Sequence, residues 1–293
     1  MKLIRTLFLV LCSIQLFAQE DLMKELEKSQ KPETSTTTQT FKGTRLVNGQ
    51  TVETKGKGAL EFIFAHRFGA INSGIYNFYG LDNAHVSIGL EYGLTDRLGV
   101  SIGRSSLDKT IDGFLRYKVL RQSSGVVNFP VTVTAFGSAA CKTSPPKADA
   151  TYPITMTDRM AYTGQLLIAR KFSSRFSLQL MPTIVHKNTV DKSIETNDQI
   201  ALGIGTRTKL TRSVGLTAEY YYRFNVMDTN PYYNAAGLGV EIETGGHVFQ
   251  LVLSNTQGLN DRAYLTESTG DIRHGGIHLG FNVTRTFQLS KQK

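Results

Sequence analysis

The sequence predicts an all-β protein: a single transmembrane antiparallel up-and-down β-barrel of about twelve strands, preceded by a signal peptide and a short periplasmic N-terminal segment. Three observations predict this class. Apolar and polar residues alternate with a period of two in successive runs. Short turns alternate with mostly longer loops between these runs. After residue 18, no run approaches the roughly eighteen apolar residues that a membrane-spanning helix needs.

The hairpin of residues 159–186 shows the repeating unit most clearly. Both halves alternate apolar and polar residues, and only Ser173 and Ser174 separate them. A connection this short joins antiparallel neighbours. Each half has roughly the length that a tilted strand needs to cross a bilayer. The same unit recurs to the C-terminus.

Residues 1–18 have the features of a secretory signal peptide. Lys2 and Arg5 precede an apolar run at 7–11, and Ala18 precedes the predicted cleavage site. Together with the barrel pattern, this segment predicts secretion across the inner membrane and residence in the bacterial outer membrane.

The two cysteines argue against other N-terminal processing and against a disulfide. A lipoprotein signal needs a small residue before Cys12, and Leu11 stands there. Cleavage after Ala18 removes Cys12 and leaves Cys141 alone, so no internal disulfide is predicted.

Residues 19–57 form the predicted periplasmic segment, and a threonine-rich tract at 34–38 resembles a flexible tether. Within it, residues 44–54 carry Asn48-Gly49 between apolar residues, a sequence typical of a hairpin with a type I′ turn. This hairpin fits either a small periplasmic element or a plug in the barrel. The alternation of residues does not choose between the two.

Residues 58–289 form the predicted outer-membrane barrel. Short connections such as 173–174 are expected at one end and mostly longer ones, such as 67–84, at the other. Because an even number of strands returns the chain to its starting side, both termini are expected in the periplasm and the long loops outside. The predicted strands are 58–66, 85–94, 98–105, 110–122, 126–143, 159–172, 175–186, 198–210, 214–225, 234–244, 247–255 and 277–289.

Several short motifs in this region carry a resemblance to a known family. They are HRFG at 66–69, GLDNA at 80–84, EYGLTDR at 91–97, GFLRYK at 113–118 and GFN at 280–282. The chain resembles, over roughly residues 41–287, an uncharacterised family of bacterial outer-membrane β-barrels that is known only as a domain of unknown function. The resemblance implies the barrel and its compartment, and it implies no reaction, ligand or site.

Charged residues of both signs fall on the predicted inward face. They fit a charged constriction that gives passive or gated passage to small solutes. They also fit a network of ion pairs that fills a narrow barrel, and twelve strands lie between the sizes at which interiors are filled and open. The predicted lumen charges are Glu61, Glu91, Asp112, Arg116, Lys118, Arg207, Lys209, Glu219, Arg223, Glu241 and Glu243.

Residues 67–84 are the predicted infolding loop. This stretch is long, rich in glycine and asparagine, and carries several aromatic residues. If it folds into the lumen, the barrel is constricted from its outer end.

No motif predicts an enzyme or a cofactor, although barrel hydrolases remain an alternative class. The glycine pairs Gly203/Gly205 and Gly237/Gly239 do not open a helix, so we interpret them as space for long inward side chains rather than as phosphate sites. An adhesive or structural link to the envelope through residues 19–57 is a further alternative.

The expected partners follow from the composition. The net formal charge is +9, but the cations are scattered, so no nucleic acid is predicted. Outer-membrane lipid and a small solute are the predicted partners, and the oligomeric state is left open.

Four histidines are candidate metal ligands. His66, His85, His274 and His278 flank the seam where the last strand is expected to meet the first. Imidazole binds zinc, copper or nickel, so a site at the mouth of the barrel is one hypothesis. The alternative is that they are ordinary rim residues, because the alternation places His66 toward lipid and His85 and His278 in the lumen.

Overall fold

The fold is a closed barrel of twelve antiparallel strands, seen in a computed structural model that describes residues 34–145 and 153–289. The predicted signal peptide lies outside the described residues. Each strand pairs with its neighbours in sequence, and the last strand closes on the first. The strands are β1 (Ala59–Ala70), β2 (Ala84–Gly93), β3 (Leu98–Ser105), β4 (Ile111–Leu120), β5 (Thr132–Cys141), β6 (Met160–Lys171), β7 (Phe176–Lys187), β8 (Asp198–Lys209), β9 (Val214–Arg223), β10 (Ala236–Thr244), β11 (His247–Ser254) and β12 (His278–Gln288).

All twelve predicted strands are confirmed, most of them to within one or two residues at each end. Two boundaries differ more. β1 continues past 66 to Ala70, and β5 begins at Thr132 rather than at 126. Pro130 lacks an N–H for the ladder, so the residues before Thr132 form a longer connection than the predicted three-residue turn.

The alternation of outward and inward residues is also confirmed. Along β9, Tyr220 and Tyr222 are exposed on the outer face, whereas Glu219, Tyr221 and Arg223 are buried inside. The buried core of this protein is therefore the barrel interior, and the outer face presents the apolar residues that lipid requires. No helix among the described residues has the length and apolar character needed to cross a membrane.

The two ends of the barrel differ. We call the end with the 94–97, 172–175, 210–213 and 245–246 connections the turn end, and the opposite one the loop end. The chain enters at the turn end, where Ser35–Thr36 pairs with Ser123–Ser124 of the β4–β5 connection.

The lumen is filled by residues 40–53, which we call the plug. A hairpin forms within it, because the Thr51 amide donates to the Thr44 carbonyl (2.9 Å) and the Leu46 amide to the Gly49 carbonyl (2.8 Å). Leu46 and Gln50 are completely buried. The structure thus selects the plug over the periplasmic hairpin, and this part of the expected periplasmic segment lies inside the barrel.

The predicted type I′ turn is wrong. Neither Asn48 nor Gly49 has the positive φ that this turn needs. The barrel wall, rather than an intrinsic turn, fixes the backbone here. A Cβ on Gly49 would lie 2.1 Å from the hydroxyl oxygen of Tyr221, so glycine is required for close approach.

A different loop from the predicted one folds inward at the loop end. The β11–β12 connection contains the short helix α1 (Asp261–Thr266), whose six residues are all buried. Residues 71–81 of the predicted infolding loop are instead mostly exposed. The plug and α1 together fill the interior, and the predicted loop lies outside it.

Glycines supply the space for this filling, as predicted. A Cβ on Gly203 would lie 2.4 Å from ring atom Cε1 of Tyr221, and one on Gly205 would lie 2.2 Å from Cδ1 of Leu46 in the plug. The glycine at each position therefore accommodates one large inward side chain.

Candidate functional site

The predicted lumen charges all lie on the inward face of the barrel. Seven of the eleven are buried, and Asp112, Arg207, Lys209 and Glu243 are half-buried. Most of those that are buried contact the plug or each other. The site is therefore the interface between the plug and the barrel wall.

Arg116 on β4 is the most connected of these residues. Its Nε lies 3.1 Å from Glu91 Oε1 on β2, and neither side chain is exposed. Its Nη1 donates to the Glu53 carbonyl (2.9 Å) and its Nη2 to Gln50 Oε1 (2.6 Å). One buried guanidinium thus joins the wall to both the backbone and a side chain of the plug.

Glu219 on β9 holds the tip of the plug hairpin. Its carboxylate accepts hydrogen bonds from the amides of Val47 (3.1 Å), Asn48 (2.8 Å) and Gly49 (3.0 Å). Three successive amides that converge on one carboxylate form an anion-binding nest, here occupied by a side chain of the wall. This interaction explains the turn conformation described above.

Arg67 on β1 holds the other side of the same hairpin. Its Nη2 donates to Asn48 Oδ1 (2.9 Å) and to the Val47 carbonyl (3.2 Å), and its Nη1 donates to Asn282 Oδ1 on β12 (2.9 Å). Arg67 is not among the predicted lumen charges because the predicted first strand ends at His66, whereas β1 continues to Ala70. The alternation continues through Arg67, and that signal could have identified it.

Neutral side chains of the wall also pair with the plug backbone. Gln179 on β7 donates to the Gln50 carbonyl (2.7 Å) and accepts from the Val52 amide (2.9 Å). Thr134 on β5 donates to the Val52 carbonyl (2.8 Å). The wall supplies hydrogen bonds that a neighbouring strand would otherwise provide.

Ion pairs continue the interface toward the turn end. Lys55 Nζ lies 2.5 Å from Glu61 Oε1, and Nζ of Lys42 in the plug lies 2.9 Å from Glu243 Oε2. Arg207 bridges Glu241 (2.6 Å) and Glu243 (3.0 Å) within the wall. Several of the lumen charges are thus paired, either with charges on the entering segment or with one another.

The loop end carries a second set of ion pairs around α1. The Arg262 guanidinium pairs with the Glu267 carboxylate. Lys187 Nζ lies 2.5 Å from Glu195 Oε2 and 3.7 Å from Glu267 Oε1. Burial raises the pKa of Glu267, but the cations Arg262, Lys142 and Lys187 together hold it below its usual value. A cavity of about 420 Å³ lies beside these residues.

The plug and α1 touch each other in the middle of the barrel. Gln50 of the plug donates to Asp261 Oδ1 of α1 at 3.1 Å, and beside them the ring of Tyr264 in α1 lies 5.5 Å from that of Tyr221 on the wall strand β9. The filling from the turn end is thus continuous with the filling from the loop end.

The structure does not bring the four candidate metal ligands together. His66 packs on the outer face, 4.9 Å from the ring of Phe281, while His278 faces the lumen and contacts the Phe68 carbonyl. His274 pairs with Asp271 at 2.6 Å, and His85 contacts Ser106. Within residues 34–145 and 153–289, no three His, Cys, Asp or Glu side chains are grouped to hold a metal ion.

A closed antiparallel barrel with an apolar outer face and a polar, filled interior defines an outer-membrane β-barrel protein. The chain belongs to the family described as membrane bound beta barrel domain (DUF5777), whose model matches residues 41–287. Membership confirms the resemblance drawn from the sequence and places the protein in the outer membrane.

Solved structures of other barrels are similar in outline. The KdgM porin is 8% identical, with 78% of this chain and 99% of that chain covered at a TM-score of 0.46. An outer membrane channel from Pseudomonas putida F1 is 13% identical, with 80% and 98% covered at 0.45. An active-site mutant of outer membrane phospholipase A from Escherichia coli is 12% identical, with 78% and 90% covered at 0.41. No curated protein sequence matches this chain.

Proposed function

We propose that this barrel is a gated conduit for small polar solutes and that the plug is its gate. The observation that carries the proposal is the polar interface between the plug and the wall, built on Arg67, Arg116 and Glu219. The described conformation is the closed one. Passage requires the plug to leave the lumen.

The topology of the chain supports withdrawal of the plug from the lumen. Before the plug, the Thr37 amide donates to the Gln122 carbonyl in the β4–β5 connection, and after it the Lys57 amide donates to Asp96 Oδ1 in the β2–β3 turn. Both connections lie at the turn end. The plug is therefore a loop that enters and leaves by one opening, and its withdrawal breaks no strand pairing of the barrel.

The chemistry of the interface between the plug and the wall also supports withdrawal of the plug. Hydrogen bonds between the plug and the wall exchange for hydrogen bonds to water, so the net contribution of each is modest, typically about 1 kcal/mol for a neutral pair and about 1.5–3 kcal/mol where a charged group takes part. The plug also buries four apolar side chains, and their hydration opposes its withdrawal; they are Phe41, Leu46, Val47 and Val52. Once vacated, the wall presents Arg67, Arg116, Glu91 and Glu219, which select for polar solutes by charge and size.

A disulfide between the plug and the wall tests the proposal. A Cβ on Gly237 would lie 3.1 Å from Cβ of Val47, a few tenths of an ångström closer than the usual separation in a disulfide of about 3.5–4.5 Å. In a Cys141→Ser background, the oxidised Val47→Cys/Gly237→Cys barrel is expected to show no conductance steps in a planar bilayer, and reduction is expected to restore those of the parent. Equal conductance before and after reduction would mean that the plug is not the gate.

A variant without the plug tests the same proposal in the opposite direction, because its lumen is expected to be permanently open. Deletion of residues 40–53 is expected to give larger and more frequent steps than the parent shows, with heat-modifiable gel migration as the control for an intact barrel. A folded, plug-free barrel without conductance would favour the second candidate below.

The second candidate is a permanently filled barrel that binds a ligand at its loop end. The cavity of about 420 Å³ beside Lys187, Tyr232, Arg262 and Glu267 favours it, because that volume suits a small ligand. In that case neither the parent nor Lys187→Met would conduct, and Lys187→Met would lose the binding of a small anionic ligand that the parent shows.

A further inference from the structure

We propose that residues 71–81, between β1 and β2, form an anchor that inserts aromatic side chains into the lipid interface at the loop end. This role is separate from the gated passage proposed above and does not depend on it. The first observation is exposure: Tyr76 is 93% exposed, Ile75 78%, Phe78 60% and Tyr79 52%. Soluble surfaces seldom display so many large apolar side chains together.

The composition of this segment suits an interface rather than water. Residues 70–81 contain no charged side chain, and their polar members are asparagine, serine and tyrosine. Tyrosine and phenylalanine concentrate at membrane interfaces, where an apolar ring meets lipid and a polar group meets the headgroups.

The conformation holds the rings outward. Phe78 and Tyr79 have φ values of +44° and +53°, a left-handed conformation that aromatic residues seldom adopt. The Tyr79 amide donates to the Gly74 carbonyl (2.9 Å), and the Leu81 amide donates to the Phe78 carbonyl (3.1 Å). Strained backbone of this kind persists where the surrounding structure enforces it, often at functional sites.

The base of the segment is fixed to the barrel. A Cβ on Gly80 would lie 2.5 Å from the Gly69 carbonyl oxygen, so the two backbones are in close contact. Asn72 Nδ2 donates to the His274 carbonyl of the neighbouring loop (2.9 Å). The backbone that carries the exposed rings is therefore held in place against the barrel.

Residues 71–81 continue the lipid-facing surface of the barrel, and this continuity indicates that lipid covers them. The outward positions of β1 carry Phe62, Phe64, His66 and Phe68, and the rings of His66 and Phe68 lie 4.4 Å apart. This aromatic column belongs to the lipid-facing surface and leads directly into residues 71–81. The segment extends that surface beyond the end of the strand.

A single tryptophan tests the anchor, because the chain contains none. Tyr76→Trp is placed on the most exposed side chain, and Lys192→Trp, on the exposed part of the β7–β8 loop, is the matched control. Both proteins are reconstituted in phosphatidylcholine vesicles with and without lipid brominated near the headgroup.

The Tyr76→Trp emission is expected to be blue-shifted relative to the control and largely lost to brominated lipid, with little loss to aqueous iodide. The control is expected to show the reverse. If Tyr76→Trp and Phe78→Trp both behave like Lys192→Trp, the segment stands in water, and the anchor is refuted in favour of a surface for another macromolecule.

Discussion

Arg116 shows how one residue links the barrel wall to the plug. A buried arginine is stable only when its charge and its donors are matched, and here Glu91 supplies the charge while Gln50 and Glu53 supply acceptors. The guanidinium also lies 4.7 Å from the ring centroid of Phe114. A single side chain thus joins two strands and the plug.

Replacement of Arg116 by methionine is expected to reduce the free energy of unfolding by about 3–5 kcal/mol, because Glu91 is left buried without its partner. Denaturant titration of the refolded barrel in detergent measures this change. Arg104→Met, which removes an exposed arginine of β3, is the control and is expected to change stability little. The double variant Arg116→Met/Glu91→Gln should be more stable than Arg116→Met alone. Equal losses in the two would contradict the pairing.

At the scale of elements, the plug and α1 fill the barrel from opposite ends. Neither is stable as an isolated element: the plug hairpin is short, and α1 has only six residues. Both depend on partners from the wall. α1 in addition has Asn260 as its N-cap, whose side chain accepts from the Ala263 amide at 3.0 Å.

The inward position of α1 is expected to depend on pH through Glu267. Since its folded pKa lies below the usual value, ionised Glu267 stabilises the loop above that value, and the contribution is lost as the pH falls through the folded pKa. Hydrogen exchange of the 261–267 amides should therefore show less protection at low pH. In Glu267→Gln, protection should be low already at neutral pH and independent of acidification. Asp82→Asn, in a different loop, should behave like the parent.

At the scale of the whole molecule, the barrel has a predicted orientation. Both the entering segment and the C-terminal end of β12 lie at the turn end. We therefore expect the turn end in the periplasm and the loop end outside the cell.

Cysteine labelling in whole cells tests this orientation. In a Cys141→Ser background, Lys192→Cys in the β7–β8 loop should react with a membrane-impermeant maleimide in intact cells. Arg212→Cys in the β8–β9 turn should react only after permeabilisation. The opposite pattern would reverse the orientation.

The sequence by itself determined the barrel: the number of strands, most of their boundaries and which residues face inward. These are local properties, because a strand between lipid and a polar interior must alternate with a period of two. β3 was predicted at its observed bounds for this reason.

Only the tertiary structure decided what fills the barrel. The Val47 amide and the Glu219 carboxylate are 172 residues apart in the chain, and the Gln50 and Asp261 side chains are 211 apart. No local pattern encodes such pairs. The same long-range contacts explain two of the differences from the sequence predictions, since Glu219 sets the plug turn in place of a type I′ geometry, and α1 takes the inward position predicted for residues 67–84.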